Sequence, residues 1–192
     1  MMKNSELIEY GDFYMMEYLL KNGKKVIIRR PKVEDAEAII NVITVADTET
    51  LFLARNPGEF CTPVEREKQI IENVLADNDV EWFVAEYDNK VVGQCSVGLV
   101  RRNARYQHRA EVAFVILKDY CNLGIGSRMM EECIKWCKEH NVTQIELDVV
   151  KNNDRALKMY HNFGFKIIGT KENALRYQDG TYADEYLMVK KM

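Results

Sequence analysis

This sequence predicts an α/β fold: a mixed, mostly antiparallel central sheet with helices on both faces. Three observations predict it. Strand-length apolar runs with short turn segments between them fill residues 80–117, the pattern of an antiparallel meander. Two segments with helical spacing of apolar residues precede that meander. After residue 125 the pattern becomes helix, strand, helix, strand, so a helical crossover separates the runs 109–117 and 144–150 and makes them parallel neighbours. With 192 residues the chain sustains one core without staples, and it reads as a single domain over 1–192.

In chain order, FYMMEYLL and KKVIIRR flank Asn22-Gly23, a strong short-range hairpin signal, giving an N-terminal hairpin at about 13–30 that Pro31 ends. Val33, Ala36, Ile39, Ile40 and Ile43 recur with helical period over 33–46, with Glu34 and Asp35 suitably placed in the first turn. Residues 47–61 lack periodicity. Thr62-Pro63-Val64-Glu65 then opens a helix with Thr62 as its N-cap and Pro63 at its first position, and Val64, Ile71, Val74 and Leu75 form its apolar face. Strands follow at 80–87 and 91–100, joined by a turn at Asp88-Asn89, and at 109–117. A core of about 80–170 continues with a helix at 126–140, a strand at 144–150, a helix at 154–163 and a strand at 164–170. A C-terminal hairpin over about 171–192 turns at Asp179-Gly180, and its second strand covers 183–190.

Chemistry is written most clearly where the apolar strand AEVAFVIL runs through Lys118 to Leu123 into Gly124-Ile125-Gly126 and an amphipathic helix. Glycines at a helix start let successive amides converge on one anion, and Ser127 adds a hydroxyl. A dinucleotide fingerprint is excluded because Met129 stands where its third glycine belongs, and a P-loop because no Gly-Lys-Ser/Thr ending is present. By itself the GxG is equally a tight strand-to-helix turn.

A second run, Gln144 to Val150 followed by Asn153, Ala156, Met159-Tyr160 and Gly164-Phe165, stands at the right distance. Together the two runs resemble the motifs of the GNAT superfamily of N-acetyltransferases, bacterial type. The first matches a Q/R-x-x-G-x-G/A loop through Cys121-Asn122-Leu123-Gly124-Ile125-Gly126, and the second matches N..A..LY...GF. Cys121 and Met159 depart from that pattern without removing a backbone donor. The resemblance runs from about Val26 to the C-terminus. It implies that the two parallel strands splay apart and that acetyl-CoA, as cosubstrate, enters the wedge. It further implies that Phe114, Val115 and Ile116 line the acetyl and pantetheine arm, that an amide near Val115 or Ile116 holds the thioester oxygen, and that Asn122, Leu123, Gly124, Ile125, Gly126 and Ser127 hold the pyrophosphate. Asn153 would contact the cofactor arm, although a helix-cap Asn is an equally physical reading.

Tyr160 is implied as the general acid; a phenol with an ordinary pKa of about 10 is protonated at neutral pH and can donate to a departing thiolate. On spacing alone it belongs to an apolar helix face with Ala156, Leu157 and Phe163. Glu111 is the candidate base, one residue out of register with a glutamate of some relatives, and a water relay is the alternative; His108 has a suitable ordinary pKa but reads as a surface residue beside three arginines, His140 suits a helix end, and His161 adjoins Tyr160 without an evident partner. The resemblance implies an acceptor that is a primary amine of a small molecule, an amino acid or a protein N-terminus. Glu49, Phe52, Phe60 and Tyr106 are candidates to line its site, and Asp184 and Glu185 to attract a cation. A non-catalytic acetyl-CoA sensor is the competing function, and a plain α/β scaffold the third.

Several classes are excluded or disfavoured. A net charge of -3 and a pI near 5.7 oppose nucleic-acid binding, and the Arg101, Arg102, Arg105, Arg109 cluster is short. Five cysteines without metal-ligand spacing read as reduced thiols, with Cys133 and Cys137 on a helix's apolar face, so no metal is expected. MMKNSELIEYGDF has acids among its apolar residues, which argues against a leader or membrane anchor and for a cytoplasmic protein. Relatives of the resembling type commonly form homodimers, but no interface is marked in this sequence.

Overall fold

The computed structural model describes residues 5–7 and 15–192. Phe13 and Tyr14, at the start of the expected hairpin, and most of the segment read above as lacking a leader lie outside them. The described strands are β1 (Ser5–Leu7), β2 (Met15–Leu19), β3 (Lys25–Arg29), β4 (Val80–Tyr87), β5 (Lys90–Leu99), β6 (Arg109–Ile116), β7 (Gln144–Val150), β8 (Lys166–Arg176) and β9 (Tyr182–Lys191). They form one sheet in the order β1-β2-β3-β4-β5-β6-β7-β9-β8. Helices α1 (Ala36–Glu49) and α2 (Val64–Leu75) cover one face, while α3 (Ile125–Glu139) and α4 (Asp154–Asn162) cover the other.

Turn chemistry sets the meander. Asp88 and Asn89 both take positive φ, 49° and 59°, as the primed two-residue hairpin turn requires. Gly180 at φ 85° closes the C-terminal hairpin, with the Tyr177 amide donating to the Thr181 carbonyl. That hairpin is longer than its sequence indicates. β8 runs on to Arg176 through two register shifts, and the bulges interrupt the alternation that would have marked the strand.

β6 and β7 are the one parallel pair among the described residues, and they pair only through Arg109 with Gln144, Ala110 with Ile145 and Glu111 with Glu146. Beyond Val112 and Leu147 they part. β5 remains paired to β6, and β9 to β7, along the diverging halves, so the sheet splits there and nowhere else among its described strands. The opening is the expected wedge.

Pairing also fixes which residues share a face. Val84, Gln94, Ala113, Val115, Asp148 and Glu185 lie towards α1 and α2; Val112, Phe114, Leu147 and Val149 lie towards α3 and α4. The α3 side carries the larger core, with Met129, Met130, Cys133 and Cys137 of α3 fully buried against the sheet. The cysteines are free thiols, as expected, and burial pushes Cys137 up to about 12.

Two expectations are corrected. Residues 33–35 form a 3-10 turn ahead of α1, whose most buried positions are Ala36, Ile39, Val42 and Ala46. α2 is capped by Pro63, not Thr62: Pro63 is extended at ψ 148°, and its carbonyl receives the first hydrogen bonds, from Arg66 and Glu67. The helix face turns with that start. Val64 is exposed and Glu67 is buried. Burial pushes the Glu67 carboxyl above its ordinary range, so the folded chain holds that proton more tightly than the unfolded one does. Stability from this group is therefore greatest at low pH and falls as pH rises past the carboxylate range. Glu67→Gln should raise the melting temperature at about pH 8 and change it little at about pH 4, as measured by calorimetry or circular dichroism.

Candidate active site

The splay opens into a cavity of about 730 Å³, within the usual range for a small-ligand site. A smaller neighbour of about 260 Å³ shares Ala46, Thr50, Phe52, Ile116, Asn153 and Arg155 with it.

At one end the chain leaves β6, makes a 3-10 turn at Lys118–Tyr120 and enters α3 through a loop with two left-handed residues, Asn122 at φ 63° and Gly124 at φ 102°. Asn tolerates that region, and Gly occupies it without cost. The first hydrogen bonds of α3 run from the amides of Ser127 and Arg128 to the Gly124 carbonyl, so the amides of Ile125 and Gly126 precede the helix's own ladder. A Cβ on Gly124 would meet nothing within 4 Å, so its requirement is conformational. Gly126 is glycine for a different reason, because a Cβ there would lie 3.0 Å from Met159 Sδ and 3.3 Å from Ile116 Cδ1. The unusual Met159 thus packs directly on the second glycine.

Asn122, Gly124, Gly126 and Ser127 line the cavity; Leu123 is half-buried against the core, and Ile125 is buried in it. Lys21, Arg155 and Lys158 line the same cavity. An amide-rich turn among cations fits a polyphosphate.

Phe114, Val115 and Ile116 all line the wedge. Antiparallel pairing divides their amides. The Leu117 amide donates to the Val92 carbonyl, and strict alternation from there turns the Val115 amide to β5 and those of Phe114 and Ile116 to the open side. Val115 therefore has no free amide for a thioester oxygen. Cys121 also lines the cavity, and burial raises its thiol pKa.

Tyr160 lies on α4, buried, on the α3 side of the wedge. Its ring packs between Phe114, with centroids 6.4 Å apart, and Phe165, at 5.7 Å. Burial, with a smaller contribution from Cys133 and Cys95, holds its phenol above the ordinary value. Asn153 lines the cavity and also caps α4, its Oδ1 accepting from the Ala156 amide at 3.2 Å, which leaves its Nδ2 for another partner.

Other expected residues fall elsewhere. Glu111 is exposed in the paired half of β6 and does not line the cavity, because it sits before the strands part. The arginine cluster is engaged away from the wedge: Arg102 bridges Asp77 and Asp79, Arg109 is ion-paired to Glu146, and Arg101 and Arg109 lie over the Tyr106 ring. Glu49 accepts from the Lys118 amide at 2.8 Å, tying α1 to the end of β6, and lines only the smaller cavity. Phe52 lines both cavities, and Phe60 stacks under Arg55 at 5.4 Å.

The α1 side holds residues that sequence reasoning passed over. Asp47, buried, grips Arg55 through Nε at 3.0 Å and Nη2 at 3.3 Å, fastening the 50–61 loop to the cavity wall. Tyr177 donates to the Leu51 carbonyl at 3.0 Å, joining the β8–β9 hairpin to that loop. Gln94 and Asp148 line the cavity as well, beside Glu185, which the sequence had offered as an acid that attracts a cation. The alternation Glu146, Asp148 in IELDVV was the one signal available for Asp148. Among the described residues, no group of three or more His, Cys, Asp or Glu gathers as a metal site, and no helix is long and apolar enough to cross a membrane.

A parallel pair that parts beside an amide-rich helix start, with a buried phenol at the opening, defines a site for a nucleotide-linked acyl carrier. A sequence model of the acetyltransferase (GNAT) family matches residues 45–165, and the chain belongs to that family. It is an N-acetyltransferase dependent on acetyl-CoA. It is similar to the L-amino acid N-acetyltransferase AaaT of Escherichia coli (strain K12), 30% identical over 86% of this chain and 98% of that one. It is also similar to an N-alpha-acetyltransferase of Sulfurisphaera tokodaii, at 27% identity over 88% and 95%. The fold matches a structure of yncA, a putative acetyltransferase from Salmonella typhimurium solved with its cofactor acetyl-CoA, at TM-score 0.75 and 16% identity over 86% and 93%.

Proposed function

We propose that the chain moves the acetyl group of acetyl-CoA to a primary amine of a small molecule, an amino acid or a protein N-terminus by direct attack, with both substrates in the wedge at once. One observation carries this reading: a single cavity runs from the glycine turn, past Tyr160, to the face covered by α1. The two relatives named above, one for amino acids and one for N-termini, support an amine acceptor and divide on its kind.

Acetyl-CoA supplies an activated acyl thioester. Amides from Asn122 to Gly126 and the Ser127 hydroxyl hold the pyrophosphate, with Lys21, Arg155 and Lys158 adding charge, and the free Asn153 Nδ2 faces the arm. The open-side amide of Phe114 or Ile116 is aimed where charge grows on the carbonyl oxygen, and such preorganised donors are commonly the largest catalytic contribution. Tyr160 protonates the leaving sulfur. Glu111, outside the cavity, is given no part in proton transfer. The five free cysteines support a reducing, cytoplasmic setting.

Calorimetric titration with acetyl-CoA, followed by a screen of amines for free-thiol release, tests the reading. Saturable binding with release for one amine class is expected. Binding without release for any amine would favour a sensor, and absence of binding would overturn the proposal.

A further inference from the structure

We infer that the acceptor amine is bound as a cation on the α1 face of the wedge by Glu185, Asp148 and Gln94, and that Glu185 takes its proton. The inference rests on the acetyl-transfer reading above and supplies the base that reading lacks. Glu185 on β9 pairs opposite Val150, and Asp148 lies two residues back from Val150 on β7, so both carboxylates occupy one face as diagonal neighbours. Both line the cavity. Next to Asp148 in sequence, Val149 turns to the opposite face, where Tyr160 packs. Base and acid thus approach the opening from the two sides of the sheet, which is the separation needed when nitrogen loses a proton while sulfur gains one.

An acidic pair is not by itself a site, but an independent feature points to the same place. Gln94 is 7% exposed, lines the cavity, and its Oε1 is buried with no hydrogen-bond partner among the described residues. A buried amide oxygen without a partner is costly, and a ligand N–H would satisfy it. Gln94 stands opposite Val115, across β6 from the carboxylates and on the same sheet face. The three groups are acceptors or anions around one opening, which selects for a donor-rich cation.

The groups facing Glu185 are Asp148 on β7, Lys171 on β8 and Tyr177 beyond the end of β8; Arg55, which lines the same cavity, is held by Asp47. Lys171 is ion-paired to Asp148. One cation therefore serves two carboxylates. Burial, reinforced by Asp148 and opposed by Lys171, raises the Glu185 carboxyl above its ordinary range and towards that of a useful base.

In the reaction the ammonium passes one proton to Glu185, and its freed lone pair bonds to the acetyl carbon. The carbon–sulfur bond then breaks, and the sulfur takes the Tyr160 proton. The second proton leaving nitrogen returns to Tyr160 through water. The products are the acetamide and the free thiol of coenzyme A, with one proton released from Glu185 to solvent.

Glu185→Gln tests this, with rates measured for an alkylamine substrate and for hydroxylamine, which is already neutral near pH 7. With the alkylamine near pH 7, kcat/KM should fall on the order of a hundredfold, the usual contribution of a general base. The deficit should shrink as pH approaches the amine's own pKa, be small for hydroxylamine, and leave acetyl-CoA affinity unchanged. A deficit equal at every pH and for both nucleophiles, or no deficit, would overturn the assignment. Asp148→Asn provides a second arm, because removing the neighbouring charge should move the rising limb of kcat/KM to lower pH; an unmoved limb counts against the pair. Gln94→Met should raise KM for the amine several-fold at constant acetyl-CoA affinity. A wild-type protein that transfers acetyl to no amine would instead overturn the underlying reading, before any variant is made.

Discussion

Gly124→Glu should lose acetyl-CoA affinity by on the order of a hundredfold or more and remain folded. Gly124 sits at φ 102° at the start of α3, and open space surrounds its would-be Cβ, so no clash opposes a side chain in the unliganded protein. The cost arises from the backbone. A non-glycine residue in the left-handed region costs about 1–2 kcal/mol, and a loop that relaxes out of it turns its amides away from the anion. Each 1.4 kcal/mol is about tenfold in affinity. Glutamate adds a negative charge beside a pyrophosphate, which accounts for the larger loss. Gly124→Ala should lose about tenfold, and Gly124→Asn less than Ala, because Asn visits this region more readily. Calorimetry on the three variants gives the ranking. Wild-type affinity in Gly124→Ala would mean that the glycine's dihedral freedom is not what holds the cofactor.

That ranking separates two glycines that look alike in sequence. Gly126 is held to glycine by Met159 Sδ and Ile116 Cδ1, so a side chain there would press on α4 and on the wall of the wedge. The motif recorded both positions, but only the packed structure assigns one to backbone angle and the other to contact.

What was legible follows from the range of the interactions. Asp88-Asn89 and Asp179-Gly180 are read from sequence because turn dihedrals are decided within two residues. The wedge was legible through a crossover pattern and two motifs. On the α1 face Glu185 was named, but the residues gathered around it were not. Asp148 and Glu185 are neighbours only because β9 inserts between β7 and β8, a pairing that skips one strand in chain order. Gln94 reads as any polar residue in VVGQCSVGLV, and its significance lies in a missing partner that no local pattern records. Arg55 lies in an aperiodic stretch, and Asp47, which anchors it, was assigned to the start of that loop although it occupies the last turns of α1. The Thr62 cap failed locally, because Pro63 in an extended conformation fills the cap position itself. Glu111 shares the α1 face with Ala113 and Val115 but stands before the point at which the strands open, a position along the strand that sequence spacing does not fix.

Tyr160→Phe should lower turnover about a hundredfold or more, the range for loss of a positioned general acid, with acetyl-CoA affinity within a few-fold of wild type. The ring contacts with Phe114 and Phe165 survive the substitution, so packing is retained while the donor is removed. The pH dependence sharpens the test. Because burial and the neighbouring Cys133 and Cys95 raise the phenol above its ordinary value, Tyr160 holds its proton throughout the range in which amines become nucleophilic. Wild-type kcat should therefore show no descending limb from Tyr160 up to about pH 10, where an ordinary phenol is half ionised. A limb at lower pH that disappears in Tyr160→Phe would mean the phenol is more easily ionised than its burial implies. Unchanged turnover at every pH would remove Tyr160 from proton transfer and leave the departing sulfur to water. The sulfur would then depend on the glycine turn and the open-side amides of β6 alone, so Tyr160→Phe in the Gly124→Ala background separates the contributions. Independent binding and acid roles predict additive free-energy losses, because one acts on affinity and the other on the bond-breaking step.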